Sequence, residues 1–195
     1  MGARRRNGTT YDRWVPELET PRLIGEPASM EHREIAVALF CDPEVAAWIW
    51  PDGRAGPGPA GPRTPPQAEE MLARFVADWG TNGFGWWYLR ERETGELVGD
   101  VCLQPAEVES EHVVEIGWTM LPSRWGRGYA TEAARAAVAF GFGDAGLDEI
   151  VAFTLRHNRA SRRVMEKLGM TYDRDFERAG LPHVLYRLGA PTSGD

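Results

Sequence analysis

The sequence has 195 residues, 43% of them hydrophobic and 26% charged, with a formal net charge of −7. This length suits one domain with a proper core, and an acidic surface repels phosphate backbones, which argues against a nucleic-acid binder. Cys41 and Cys102 are too few for a disulfide framework and fit free thiols in a reducing cytoplasm, and no apolar run approaches the ~20 residues of a membrane span.

Residues 1–19 read as a polar tail. Its Arg4-Arg5-Arg6 cluster leads into Asn7-Gly8-Thr9-Thr10 rather than an apolar stretch, so no secretory signal is read there. Gly2 follows Met1, but Arg6 stands where a myristoylation start wants Ser or Thr. A domain spans residues 20–189, and 190–195 form a short C-terminal tail. Pro21–Gly25 suits a first strand. Ser29 can cap a helix reaching Phe40, with Ile35, Ala38 and Leu39 on one stripe. A further turn follows Asp42-Pro43. Residues 51–66 are dense in Pro and Gly and leave little to pack, so they read as a loop, either a plain insertion or a lid.

A helix is predicted over Gln67–Trp79 from the spacing of Met71, Leu72, Phe75, Val76 and Trp79, ended by Gly80, Gly83 and Gly85. Trp86–Arg92, Leu97–Leu103 and Val113–Met120 read as strands of an antiparallel meander. A loop over Pro122–Gly128 opens a helix over Tyr129–Phe142. Then come a strand at Asp148–Leu155, a helix at Ala160–Leu168 stopped by Gly169, and strands near Met170–Glu177 and Val184–Leu188. The order implies an α/β (α+β) fold on a largely antiparallel sheet.

Chemistry concentrates in Val113–Ala134. A strand enters a loop holding Gly126-Arg127-Gly128, and a helix begins at once. The glycines permit positive φ and close backbone approach. The unpaired N–H groups and dipole of the helix start suit an anion such as a pyrophosphate. Arg124 and Arg127 add positive charge at the mouth. No Lys-Ser/Thr pair follows the glycines, so this is not a Walker loop. Thr131 occupies the third-glycine position of a dinucleotide fingerprint, which makes that match poor. Among the carboxylates, Glu115 is best placed, on the strand before the loop and on one face with Gly117 and Thr119. It reads either as a proton acceptor or as a cross-strand polar residue. Glu132, early in the helix, complements the dipole. Glu107, Glu109 and Glu111 crowd a hairpin and read as a solvated turn. Trp48, Trp50, Trp86, Trp87 and Trp118 could line a cleft or pack the core. The four histidines show no metal-ligand spacing, and no metal is expected.

The segment Glu115-Ile116-Gly117-Trp118, Pro122 and Trp125–Ala133, followed by Asn158, Ser161, Val164 and Glu166–Met170, resembles the GNAT N-acetyltransferase superfamily, in its RimJ/RimL-type ribosomal-protein branch. Thr20-Pro21-Arg22-Leu23 matches the usual first strand of that branch. The resemblance implies a single domain with a splayed sheet of about six to seven strands. It implies acetyl-CoA as co-substrate and direct transfer to a primary amine, either a protein N-terminal α-amine or a small molecule. Thr119 and Met120 would pair with the pantetheine. Trp125, Gly126, Arg127, Gly128, Tyr129, Ala130 and Thr131 would hold the pyrophosphate, and Asn158 and Ser161 would flank the cofactor. Many relatives place a proton-donating Tyr at the position of Met165, which cannot donate; Ser161 becomes the first candidate acid, with solvent or the amine's own proton as alternatives, beside Glu115 as candidate base. A homodimer is a family-level expectation. The alternative is an acyl-CoA-binding regulatory module without turnover.

Overall fold

The computed structural model describes residues 15–51 and 61–191. The expectations for Gly2, for Arg4–Arg6 and for most of the Pro/Gly-rich loop fall outside them. The elements are β1 (Leu18–Glu19), β2 (Leu23–Pro27), a 3₁₀ turn at Met30–His32, α1 (Arg33–Phe40), α2 (Pro43–Ile49), α3 (Pro65–Asn82), β3 (Trp86–Glu91), β4 (Leu97–Val108), β5 (Glu111–Met120), a 3₁₀ turn at Pro122–Arg124, α4 (Tyr129–Phe142), β6 (Glu149–Leu155), α5 (Arg159–Lys167), β7 (Thr171–Arg178) and β8 (Leu181–Gly189). Among the described residues no helix is long and apolar enough to cross a membrane.

The strands form one sheet in the order β1-β2-β3-β4-β5-β6-β8-β7. The two-residue β1, inside the stretch read as tail, makes the sheet eight strands wide. All pairs are antiparallel except β5 with β6, whose only registered partners are Glu115 and Val151. Beyond that row the two strands part.

Local chemistry explains most element ends. Asp42 accepts from the backbone N–H groups of Glu44 and Val45 and so starts α2. Thr64 and Gln67 form a capping box for α3, with Pro65 at its first position. That helix runs past Gly80, and Gly83, at φ 76°, ends it. Ile35, Ala36, Leu39 and Phe40 are the buried stripe of α1, while Ala38 is exposed.

The β4–β5 hairpin is longer than its apolar residues suggest. Glu109 and Ser110 both take positive φ (48° and 73°) between the paired Val108 and Glu111. This is the two-residue turn that matches strand twist, made here without Asn-Gly. Of the three hairpin carboxylates, Glu107 is exposed, while Glu109 and Glu111 are paired across the sheet. Arg174 of β7 meets Glu109 and Glu111. Arg187 of β8 meets Glu111 of β5, Glu149 of β6 and Asp173 of β7.

Two main cores cover the two faces of the sheet. One packs Val101, Leu103, Ile116 and Trp87 against Ala133, Ala134, Ala137 and Phe140 of α4. The other packs Trp86, Tyr88 and Cys102 against Leu39 and Phe40 of α1 and Leu72 and Phe75 of α3. The alternation of β3, β4 and β5 decides which residues face which core.

Arg187 is 23% exposed, and its removal leaves Glu111, Glu149 and Asp173 facing one another. We expect Arg187→Met to lower the unfolding free energy by about 2 kcal/mol at low salt, between the values for exposed and buried pairs. The loss shrinks as salt screens the carboxylates. Urea titrations at two ionic strengths check this; a loss independent of salt would contradict the electrostatic account.

Candidate active site

Where β5 and β6 part, a cleft of about 1200 Å³ opens. Thr119, Met120, Trp125, Gly126, Gly128, Tyr129, Ala130 and Thr131 border it from β5 and the start of α4, and Asn158 and Ser161 from the start of α5. Glu115 also borders it. Arg127 does not: its side chain is exposed, and its carbonyl accepts from Arg22 Nη1 at 3.0 Å.

Gly126 and Gly128 adopt φ of 74° and 82°, the left-handed region that side chains avoid. A Cβ at Gly126 would meet nothing within 4 Å, so backbone conformation rather than crowding calls for glycine there. The first backbone bond of α4 runs from Glu132 N to the Gly128 carbonyl at 3.1 Å. The N–H groups of Tyr129, Ala130 and Thr131 precede it and have no partner within the helix. The turn is pinned from both sides. Trp125 Nε1 donates to the Met120 carbonyl at 2.8 Å. Glu132 accepts from Thr20 Oγ1 at 2.6 Å, and from Arg22 N and Nε at 2.8 and 2.6 Å. The structural reading of Glu132 therefore holds, and its partners lie in the segment between β1 and β2. Arg124 borders the cleft, but Glu91 and Glu96 match its charge. Tyr129 donates its hydroxyl to Glu91.

Asn158 caps α5 by accepting from Ser161 N at 3.1 Å. Met165 is 1% exposed beneath it. Trp48, Trp50, Trp86 and Trp118 border the cleft, whereas Trp87 is fully buried on the α4 side with its indole donating to Pro16. Trp86 stacks on Phe75, the ring centroids 3.7 Å apart.

Glu115 is half-buried and accepts from Gln104 Nε2 at 2.9 Å. Burial pushes its carboxyl up to about 7, against the downward pull of the Gln104 hydrogen bond and the Arg178 cation. Both of these neighbours escaped the sequence reading. Gln104 stands opposite Glu115 on β4, and Arg178 arrives from the distant β7.

Asp100 lies on the same sheet face, between Tyr88 and Thr119 in register. It is fully buried, and neither carboxyl oxygen has a well-formed hydrogen bond among the described residues. Burial pushes its carboxyl up to about 8, with Thr119 the group that counteracts it. Nothing in the spacing around Asp100 marked it as special.

Residues 22–171 match the acetyltransferase (GNAT) domain family. The chain is 36% identical over 160 residues to the Bacillus subtilis protein YkkB, covering 80% of this chain and 87% of that one. It is 34% identical over 174 residues to the Aspergillus fumigatus FsC-acetyl coenzyme A-N(2)-transacetylase, covering 83% of this chain and 67% of that one. The fold superposes on Mycobacterium smegmatis RimJ, solved with a CoA disulfide, with a TM-score of 0.68 at 19% identity, over 86% of this chain and 82% of that one.

The folded-state pKa of Asp100 lies above the ordinary value near 3.8 that the unfolded chain shows. Between these values the unfolded chain has released a proton that the folded chain retains, so stability falls as pH rises through the window. We expect Asp100→Asn to be more stable than the parent near pH 8, by at least about 1 kcal/mol, with the gain shrinking toward pH 4. Denaturant midpoints at both ends of the window check this; an equal effect at both would contradict it.

Proposed function

The chain belongs to the GNAT family of acetyl-CoA-dependent N-acetyltransferases, and on that premise we propose that it binds acetyl-CoA between β5 and β6 and passes the acetyl group to a primary amine approaching from the α1–α3 side. The observation that carries this reading is the position of Glu115. It stands in the last paired row of β5 and β6, at the point where the cleft opens.

The residues present fit the co-substrate. The Gly126–Gly128 turn bares the backbone, and the free N–H groups of Tyr129, Ala130 and Thr131 offer donors for a pyrophosphate. Beyond the Glu115–Val151 row the inner edge of β5 keeps backbone groups at Thr119 and Met120 that an extended pantetheine arm can pair with. Asn158 and Ser161 face that arm from α5. Acetyl-CoA supplies the activated thioester; the protein holds it, aligns the amine and manages protons.

An amine attacks only when neutral. At neutral pH an α-amine spends about 1.4 kcal/mol in losing its proton, and a lysine about 4–5 kcal/mol. Glu115, with its carboxyl near 7, is ionised in a useful fraction of molecules and is matched to receive that proton. Ser161 can hydrogen-bond a leaving thiolate, but a serine hydroxyl does not ionise near neutral pH. The acceptor is a primary amine whose skeleton lies along Trp48, Trp50 and the Phe75–Trp86 stack; a protein N-terminus and a small molecule both meet that description. The second reading is an acyl-CoA-binding module without turnover, favoured by the buried Met165.

Release of CoA thiol is followed with acetyl-CoA and a panel of peptides with free α-amines, α-blocked lysine peptides, polyamines and aminoglycosides. We expect one class to react, and Gly128→Trp to abolish the reaction by filling the turn and forbidding its φ. Binding of acetyl-CoA with no release for any amine would move the assignment to the non-catalytic module. Glu115→Gln is expected to lower kcat/KM about 10²-fold and to remove the loss of rate on acidification through neutral pH. An unchanged pH profile would return Glu115 to a structural role.

A further inference from the structure

His183 lies on β8 opposite Leu155 of β6, is 5% exposed, and borders the same cleft as Glu115 and Thr119. Its Nδ1 is 2.9 Å from the Leu181 carbonyl. A carbonyl only accepts, so in the neutral ring Nδ1 carries the proton and Nε2 keeps its lone pair. The Leu181 contact is the ring's single hydrogen bond among the described residues. Phe153 and Phe176 hold the imidazole, with centroids 6.3 and 5.6 Å away. The charged group that bears on it is Arg178 from β7, which lies over the Phe153 ring and also bears on Glu115 of β5, a residue of the same cleft lining. From β6 the facing residues are the uncharged Phe153 and Leu155. Burial first, and then the Arg178 cation, push the imidazole below its usual value, so the ring is neutral at neutral pH.

Acetyl transfer moves two protons, and Glu115 deals with one. It takes the proton of the arriving ammonium and gives it to solvent. The amine lone pair then forms a C–N bond at the thioester carbonyl. The C–S bond breaks with its electron pair going to sulfur. The nitrogen must still lose a proton, and the sulfur must gain one. Neither Met165 nor Ser161 is a source.

We propose that His183 Nε2 accepts the proton the amine nitrogen loses on attack and returns it to the departing thiolate. An ordinary imidazolium is a stronger acid than a thiol by about 2 pK units, so the second transfer is downhill. The balance is complete: ammonium and thioester become amide and thiol, with one proton released through Glu115. This assignment rests on the acetyl-transfer reading above.

His183→Asn keeps an N–H for the Leu181 carbonyl and removes Nε2. With the full chain, acetyl-CoA and the reactive amine, kcat is expected to fall about 10²-fold while KM for acetyl-CoA holds. The acidic limb of the kcat–pH profile is expected to lose one of two deprotonations. Should the Asn variant melt earlier, His183→Gln, compared at a temperature where both proteins are folded, reads the same loss. A kcat within about threefold of the parent, with its pH profile intact, overturns the proposal. Nitrogen-15 NMR of the parent protein gives an arm independent of activity. The expected result is a neutral ring protonated on Nδ1, titrating below 6.5; a ring protonated on Nε2, or charged at neutral pH, overturns the proposal. A parent protein that releases no CoA with any amine overturns the acetyl-transfer reading instead, and the NMR result still decides the state of His183.

Discussion

β5 and β6 run side by side in parallel, yet only Glu115 and Val151 are in register. Beyond that row each strand keeps its outer neighbour: β5 stays paired with β4 to Met120, and β6 with β8 to Leu155. The inner edges are left with backbone donors and acceptors that a buried setting penalises by about 1–3 kcal/mol each when unpaired. A fork in a sheet is therefore unstable unless something closes its base and something else occupies its opening. Arg187 closes the base. It stands opposite Val151, in the last paired row, and its guanidinium gathers carboxylates from β5, β6 and β7. The Gly126–Gly128 turn and the start of α4 border the open end.

The opening half of this arrangement was legible from sequence. Glycines at 126 and 128 before a helix announce themselves because their chemistry is local and contiguous, whereas Asn158 was reached only through the family resemblance and its capping of α5 is seen in the structure. Helices with clean apolar spacing, such as α3 and α4, were placed within a few residues. The closing half was not legible. Arg174 and Arg187 lie more than sixty residues from Glu109 and Glu111, and nothing local distinguishes a hairpin carboxylate paired across the sheet from one in water. The same holds for Asp100, whose neighbours Tyr88 and Thr119 come from other strands. The type of turn at Glu109-Ser110 was hidden for a different reason: it uses residues that pay a steric cost at positive φ.

Burial shapes the titratable groups of this face in ways that residue type alone does not reveal. Asp100, on the same face, is pushed upward by burial, with Thr119 alone pulling against it and no cation beside it. Glu115, at the floor itself, is brought back toward neutrality by Gln104 and Arg178. His183, on the other arm, is driven toward the neutral base. One low-dielectric surface thus yields a spectator acid, a poised acid and a neutral base, and the partner set decides which is which.

The two main cores lie on opposite faces of the sheet, and among the cap helices α1, α2 and the first turns of α3 contribute to one of them alone. Trp79, at the far end of α3, is where that helix reaches around to the other. The sheet thus acts as a partition between two nearly independent packing problems. Changes in the cap that reshape the aromatic wall around Trp48, Trp50 and Phe75 leave untouched the alanine face by which α4 seats itself. Over evolutionary time this separation lets a lineage explore new acceptors through the cap while the Gly-Arg-Gly turn and its helix stay fixed.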